Sequence, residues 1–304
     1  MPRSYRYLHL DVFTNRLFGG NQLAVVLDGR GLSAETMQAV AKEMAFSETT
    51  FVLPPERHGT DVHMRIFTPG EEVPMAGHPT IGSTFALARS GVIEPGRQRF
   101  VFGLGVGPVP VSLTWREKDL TFVWMTQSSP TFWEPIANPV GAAAALGLSE
   151  AAVAGTGLPV QVVSCGLPFL FVPLTTRRAV DSAAIDREAF DALIRSANAK
   201  AHGVFVFSHE RGRDKANVYS RMFAPDLGIA EDPATGSASG PLGCYLVRHK
   251  VVSPHKAESM LGLQGVKMGR PSQVHISIGV KDGEISSVRV GGESVVAGEG
   301  TLYL

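Results

Sequence analysis

Arg65-Ile66-Phe67-Thr68-Pro69, followed by Ala76-Gly77-His78-Pro79-Thr80 and an apolar run, returns in altered form later in the same chain. There it reads Arg221-Met222-Phe223-Ala224-Pro225, then Ala234-Thr235-Gly236-Ser237-Ala238 and a second apolar run. The two arginines stand 156 positions apart, about half of the 304 residues. Two further pairs keep the order. Phe51-Val52-Leu53 matches Phe205-Val206-Phe207 at an offset of 154, and Gly20 with Leu23–Leu27 matches Gly166 with Phe169–Leu174 at 146 to 147. Self-similarity at a near-constant spacing is a statement about architecture. The chain reads as a duplicated unit.

Working outward, each half has a similar outline. Ser33 caps a first helix in which Met37, Val40, Ala41 and Met44 fall at i, i+3, i+4 and i+7. Its counterpart is expected over about 185–196, with Ala189, Phe190, Leu193 and Ile194 inward. A second helix begins after Pro79 and stops near Gly91, with Ile81, Phe85 and Ala88 on one face; its counterpart covers about 238–248. Strand pairs close each half, Val109–Trp115 with Leu120–Met125 and Val274–Val280 with Ile285–Val290, the second turning at Asp282-Gly283. Many strands with two helices per half make an α+β fold without βαβ alternation. The expected boundaries are 1–128, joined by about 292–304, for the first domain and 129–291 for the second.

Composition excludes several classes. Lys and Arg number 28, as do Asp and Glu, so the formal net charge is zero. With no basic stripe, a nucleic-acid partner is not expected. Two cysteines, Cys165 and Cys244, cannot build a disulfide framework, and both sit in apolar runs as core fillers. A reducing cytoplasm is therefore the expected location. No leader is expected, because Leu8–Phe13 already alternates as a strand. The uncharged stretch Ala151–Leu174 has the length of a membrane span, which takes roughly 20 apolar residues. Its glycines and its Pro159, Pro168 and Pro173 break it into two short strands, 160–164 and 169–172, so no membrane partner is expected.

Four positions carry chemistry on their own terms. A glycine turn opening a helix presents unpaired N–H groups and the positive end of the helix dipole, which suits a carboxylate or phosphate. Gly77-His78 and Gly236-Ser237 are two such turns. Glu48 begins an apolar strand directly after a helix, either as an acid–base group or as a strand-edge carboxylate; Asp232, before Pro233, serves either a site or a turn. Gly103–Pro108 lacks the dinucleotide spacing, Gly265–Arg270 is no P-loop, and Gly236–Gly240 has Ala238 where a nucleophile elbow needs serine. None of the nine histidines forms a metal-binding pair, so no metal is expected.

Together these motifs resemble the PhzF-like family, the phenazine-biosynthesis isomerases and their relatives within the diaminopimelate-epimerase superfamily. The matching residues are Asp11-Val12-Phe13, Gly20–Val25, Ser47–Phe51, Arg65–Pro69, Ala76–Thr80, Arg221–Pro225, Glu231–Ala238, Gln264-Gly265 and Met268–Ser272. The resemblance implies two similar domains related by pseudo-twofold symmetry, each a curved sheet or barrel around a central helix, with the active site in the cleft between them. It implies a cofactor-independent and metal-free isomerase that moves a proton between carbons of a small carboxylate-bearing substrate. Glu48 maps onto the acid–base group, with His78, Asp232 and Ser237 in support. The N–H groups of Gly77, Gly236 and Ser237 map onto the substrate carboxylate, with Asn21 beside them. The epimerases place cysteines where this chain has Ala76 and Thr235, so cysteine chemistry is not expected. A homodimer is implied as well. The alternatives are a racemase or epimerase using Glu48 with a second acid–base, and a non-catalytic binding protein of the same fold.

Overall fold

The computed structural model describes residues 3–196, 200–225 and 228–304. The chain divides into two compact units, one running to Thr126 and including Val290–Leu304, the other covering Gln127–Arg289.

In the first unit the order is β1 (Ser4–Val12), β2 (Asn21–Val26), α1 (Ala34–Met44), β3 (Glu48–Leu53), β4 (Val62–Phe67), β5 (Glu72–Val73), α2 (Gly77–Arg89), β6 (Arg99–Leu104), β7 (Gly107–Arg116) and β8 (Asp119–Gln127). The last strand of the chain, Ser294–Tyr303, returns to pair antiparallel with β1. In the second unit the order is β9 (Thr131–Phe132), α3 (Pro139–Ala144), α4 (Glu150–Ala154), β10 (Gln161–Ser164), β11 (Pro168–Pro173), α5 (Arg177–Ser182), α6 (Arg187–Ser196), β12 (Val204–Ser208), β13 (Val218–Ala224), β14 (Ile229–Asp232), α7 (Gly236–Arg248), β15 (Met260–Gln264), β16 (Ser272–Lys281) and β17 (Glu284–Gly292).

The two units repeat one pairing scheme. β1 pairs antiparallel with β2, β2 parallel with β3, β3 antiparallel with β4, and β4 antiparallel with β5 and parallel with β6. Likewise β10 pairs antiparallel with β11, β11 parallel with β12, β12 antiparallel with β13, and β13 antiparallel with β14 and parallel with β15. The fold is mixed rather than free of βαβ units. α1 crosses between the parallel strands β2 and β3, and α2 between β4 and β6. Parallel neighbours require such a crossover.

The repeat extends to side chains. On β4 the Arg65 guanidinium forks onto Glu72, Nε to Oε1 at 2.7 Å and Nη2 to Oε2 at 2.6 Å, and lies 5.1 Å from the Phe67 ring centre. On β13 Arg221 forks onto Glu231 at 2.8 Å twice and lies 4.7 Å from the Phe223 ring centre. Each clamp ties a strand to the short strand that leads into the central helix.

Those central helices, α2 and α7, are buried along Gly77–Leu87 and Gly236–Leu246. Some of their buried hydroxyls bond to the helix's own backbone: Thr80 donates to the Ala76 carbonyl and Ser239 to the Thr235 carbonyl, each at 2.8 Å. Close packing requires glycine. A Cβ at Gly82 would stand 2.6 Å from Leu23 Cδ2, and one at Gly243 would stand 2.5 Å from Ile276 Cγ2.

Several local expectations hold. The Ser33 hydroxyl accepts from the Thr36 N–H at 3.2 Å, and Met37, Val40 and Ala41 are buried. Asp282 and Gly283 both adopt positive φ, 52° and 84°, as a tight turn there demands. Among its described residues the second unit nevertheless has five α-helices, not two. α3, α4 and α5 are five or six residues long and too short to show a helical period. The uncharged stretch Ala151–Leu174 forms most of α4 and then β10 and β11, and among the described residues no helix is long and apolar enough to cross a membrane.

Candidate active site

Strand alternation builds the first unit's site. Leu23 lies opposite Glu48 in the parallel pair, so Asn21, Leu23 and Glu48 share a face. Leu23 packs on Gly82 of α2, and His78 is one turn earlier on the same side of that helix. The three polar residues therefore converge. Asn21 Nδ2 is 3.1 Å from His78 Nδ1, and His78 Nε2 is 3.4 Å from Glu48 Oε2. Side-chain exposure is 3% for His78 and 13% for Glu48, so Glu48 is the more open of the two side chains, with its Oε2 buried. Below Glu48 on the same face, Thr50 Oγ1 meets Ser83 Oγ of α2 at 3.0 Å.

Burial pushes the His78 imidazole down to about 3, against a backbone hydrogen bond with Gln22 that acts in the opposite direction. His78 is neutral at working pH and forms no ion pair with Glu48. In the tautomer where the Asn21 amide donates to Nδ1, the ring proton sits on Nε2 and faces the carboxylate. A cationic neighbour would hold a carboxylate in its ionised form; a neutral one leaves it free to take up a proton.

The neutral state has a stability consequence. An unfolded His78 binds a proton below its ordinary value of 6.5, while the folded one refuses it until about 3. Its contribution is intact above the unfolded value and is lost as the pH falls from there towards the folded value. The His78→Gln variant should therefore lose less stability on acidification, by about 1.4 kcal/mol per pH unit between about pH 6 and pH 4. Urea melts of both proteins across that interval read the difference; parallel acid limbs would contradict it.

In the second unit Asp232 ends β14, three residues before Thr235, the N-cap of α7. The Thr235 hydroxyl donates to Asp232 Oδ2 at 2.6 Å and accepts from Gln264 Nε2 at 3.0 Å. Gln264 also donates to the Asp232 carbonyl at 2.8 Å, and its Oε1 accepts from the Thr235 N–H at 3.1 Å. Gln127 Nε2 donates to the Gly236 carbonyl at 2.9 Å. That carbonyl belongs to the same rigid peptide as the Ser237 N–H, so Gln127 sets the direction of that donor. Ser237 itself is buried.

The starts of α2 and α7 share a further property. Neither has a side-chain cap: Ala76 has no polar atom, and the Thr235 hydroxyl is committed to Asp232. Neither first turn carries an acidic residue. By contrast, α1, α3 and α5 are capped by Ser33, Asn138 and Thr176. A buried helix start without a cap is a place where an anion completes the structure.

Each expected residue is thus accounted for within its unit. The first unit brings together Asn21, Glu48, Gly77 and His78; the second groups Asp232 with Gly236 and Ser237. Asn21, expected to contact substrate, lies against His78. Thr235, Gln264 and Gln127 had no role in the sequence reading, since their partners become neighbours only through folding. Cys165 and Cys244 are buried with their Sγ atoms 3.9 Å apart, and mutual hydrogen bonding and burial push the Cys244 thiol up.

The sequence profile described as "Phenazine biosynthesis-like protein" matches residues 10–300. The chain belongs to that family. It is 36% identical over 303 residues to the trans-2,3-dihydro-3-hydroxyanthranilate isomerase of Pseudomonas aeruginosa, covering 99% of this chain and 100% of that one. It is 34% identical over 300 residues to an uncharacterized isomerase of Mesorhizobium japonicum, with 98% of each chain covered. Among solved structures, a PhzF-family phenazine biosynthesis protein of Bacillus anthracis superposes with a TM-score of 0.86 at 27% identity, covering 99% of this chain and 100% of that one. A hydroxyproline epimerase of Agrobacterium vitis, at 16% identity and a TM-score of 0.68, covering 100% of this chain and 94% of that one, shares the fold. The family is one of isomerases, and this chain is one of its enzymes.

Proposed function

We propose that the protein is a cofactor-independent isomerase that moves a proton between carbons of a small carboxylate-bearing substrate, with Glu48 as the single acid–base group. The observation that carries this reading is the carboxylate of the partly exposed Glu48 side chain 3.4 Å from a buried, neutral His78. A carboxylate so placed takes a proton from carbon and returns it to another carbon on the same face of the substrate. His78 stands 3.4 Å from the carboxylate as a neutral neighbour, and Asn21 holds His78. Carbon acids are weak, so the developing negative charge needs preorganised donors. In the unit that carries Glu48, the uncapped start of α2 at Gly77 supplies N–H groups for the substrate carboxylate; in the second unit, Asp232 fixes the uncapped start of α7, at Gly236 and Ser237, through Thr235.

The relatives name a candidate substrate, trans-2,3-dihydro-3-hydroxyanthranilate. This compound and a panel of amino and hydroxy acids are incubated with the protein in D₂O. The expected result is rearrangement of at least one unsaturated carboxylate with deuterium appearing at carbon. Inversion at a single carbon would assign a racemase instead. Tight binding with no label anywhere would make the protein a binder.

A further inference from the structure

The loop between β12 and β13 carries His209-Glu210-Arg211-Gly212-Arg213-Asp214-Lys215. Both of its carboxylates are occupied by Arg177, at the start of α5. The Arg177 N–H donates to Glu210 Oε2 at 2.7 Å, its Nε donates to the Glu210 carbonyl at 2.9 Å, and its guanidinium forks onto both Asp214 oxygens. A Cβ at Gly212 would stand 2.3 Å from that guanidinium, so the loop wraps it closely.

What this fork leaves over is cationic. Arg211 and Lys215 line a cavity of about 700 Å³ together with Lys250, Lys256 and His209. No aspartate or glutamate among the described residues lines it. Among the described residues none of these four Lys and Arg side chains makes an ion pair. Three separate segments supply the cations. Lys250 follows α7, where the Val251 N–H closes the helix onto the Leu246 carbonyl at 2.9 Å. A helix C-terminus accounts for one cation at that place. It does not account for Arg211 and Lys215 on the loop, nor for Lys256 in the turn after the helix. Lys215 and Lys250 also hold left-handed backbone, φ 62° and 58°, which side-chain-bearing residues avoid. Buried Ala216 and Val252 form an apolar floor.

The chain as a whole is neutral, so this concentration of one sign is local. A concavity lined by one sign over low-dielectric walls focuses the field and gathers counter-ions. Its volume is that of a small-molecule site. It has no phenylalanine, tyrosine or tryptophan in its lining, so nothing offers a stacking surface to a base. We propose that this cavity binds a small anion of linked phosphates, recognised by charge alone. A free oligophosphate and the tail of a nucleotide share that chemistry. The proposal stands apart from the catalytic reading, because none of its residues takes part in that reaction.

Calorimetric titration of the full chain with inorganic triphosphate, ATP and adenosine tests it. Triphosphate and ATP should bind with similar affinity, weakening as salt is added, and adenosine should give no binding. Replacing Arg211→Ala and Lys256→Ala together should weaken triphosphate by about tenfold or more. Replacing Lys215→Asn and Lys250→Asn together should do the same while tolerating the left-handed backbone, with melting curves confirming that both variants fold. No binding of millimolar triphosphate overturns the proposal. So does a preference for ATP above about tenfold. So does affinity unchanged in both variants, which would place the anion at the helix starts of α2 or α7.

Discussion

Replacing Glu48→Gln is expected to abolish carbon deuteration while leaving the protein folded and able to bind its carboxylate ligand. Glutamine keeps the size of the side chain and still offers a hydrogen-bonding atom to His78 Nε2, 3.4 Å from the wild-type carboxylate. Stability should change by less than about 1 kcal/mol, as for replacements that leave packing intact. What the amide lacks is the ability to accept and return a proton. General acid–base catalysis contributes about 10²–10⁴-fold, and here a single group would serve both steps. The loss should therefore reach the upper end of that range, and it should fall on kcat, with KM nearly unchanged, because the proposed carboxylate donors are backbone N–H groups at other positions. Deuterium incorporation near the wild-type rate in the variant would remove Glu48 from the mechanism. A large loss of thermal stability would instead show that the carboxylate has a structural role.

The Gly265→Ala variant should be among the most destabilised single substitutions in the second unit. Gly265 follows Gln264 and adopts φ +74°. A Cβ there would stand 2.4 Å from the Arg270 carbonyl oxygen and 2.5 Å from the Pro233 carbonyl oxygen. Both obstacles are backbone, so no side chain can swing aside. The left-handed conformation costs a non-glycine residue about 1–2 kcal/mol, and overpacking adds about 1–3 kcal/mol. A fall in melting temperature of roughly 5–15 °C is expected. Gly269 provides the control in the same turn: its φ is also +74°, but nothing lies within 4 Å of its Cβ position. Gly269→Ala should lose only the conformational part, about 1–2 kcal/mol. The difference between the two melts isolates the steric part, and equal melts would show that the turn relaxes freely. Because Pro233 and Gln264 flank the Asp232–Thr235 network, Gly265→Ala should also weaken ligand binding more than Gly269→Ala does.

What could be read before folding was whatever the chain states locally or states twice. The Ser33 cap, the spacing of Met37, Val40 and Ala41, and the Asp282-Gly283 turn depend on residues a few positions apart. The duplication was visible because Arg65 and Arg221 each start a similar run. Their partners were not visible: Glu72 and Glu231 are chosen by strand register, and the spacing to the arginine differs between the halves. The short helices α3, α4 and α5 have too few residues to show a period. The parallel crossovers followed from pairing choices that no local pattern encodes. Glu48, His78 and Asp232 were found through motifs, but the arrangement that makes His78 neutral was not. That arrangement is burial of the ring, which depends on the closeness that Gly82 allows and sets it against Asn21, 57 positions away.

The uncapped starts of α2 and α7 also bear on how a ligand would act on stability. Ser33, Asn138 and Thr176 finish their helices from within the chain, whereas the two longest helices are left for something else to finish. Under the proposed function, a carboxylate held at such a start would be a detachable piece of the unit that binds it as well as a reactant. A ligand at a hundred times its dissociation constant raises stability by about 2.7 kcal/mol. A library of small carboxylic acids ranked by melting temperature should therefore lead towards the natural substrate before any turnover has been seen.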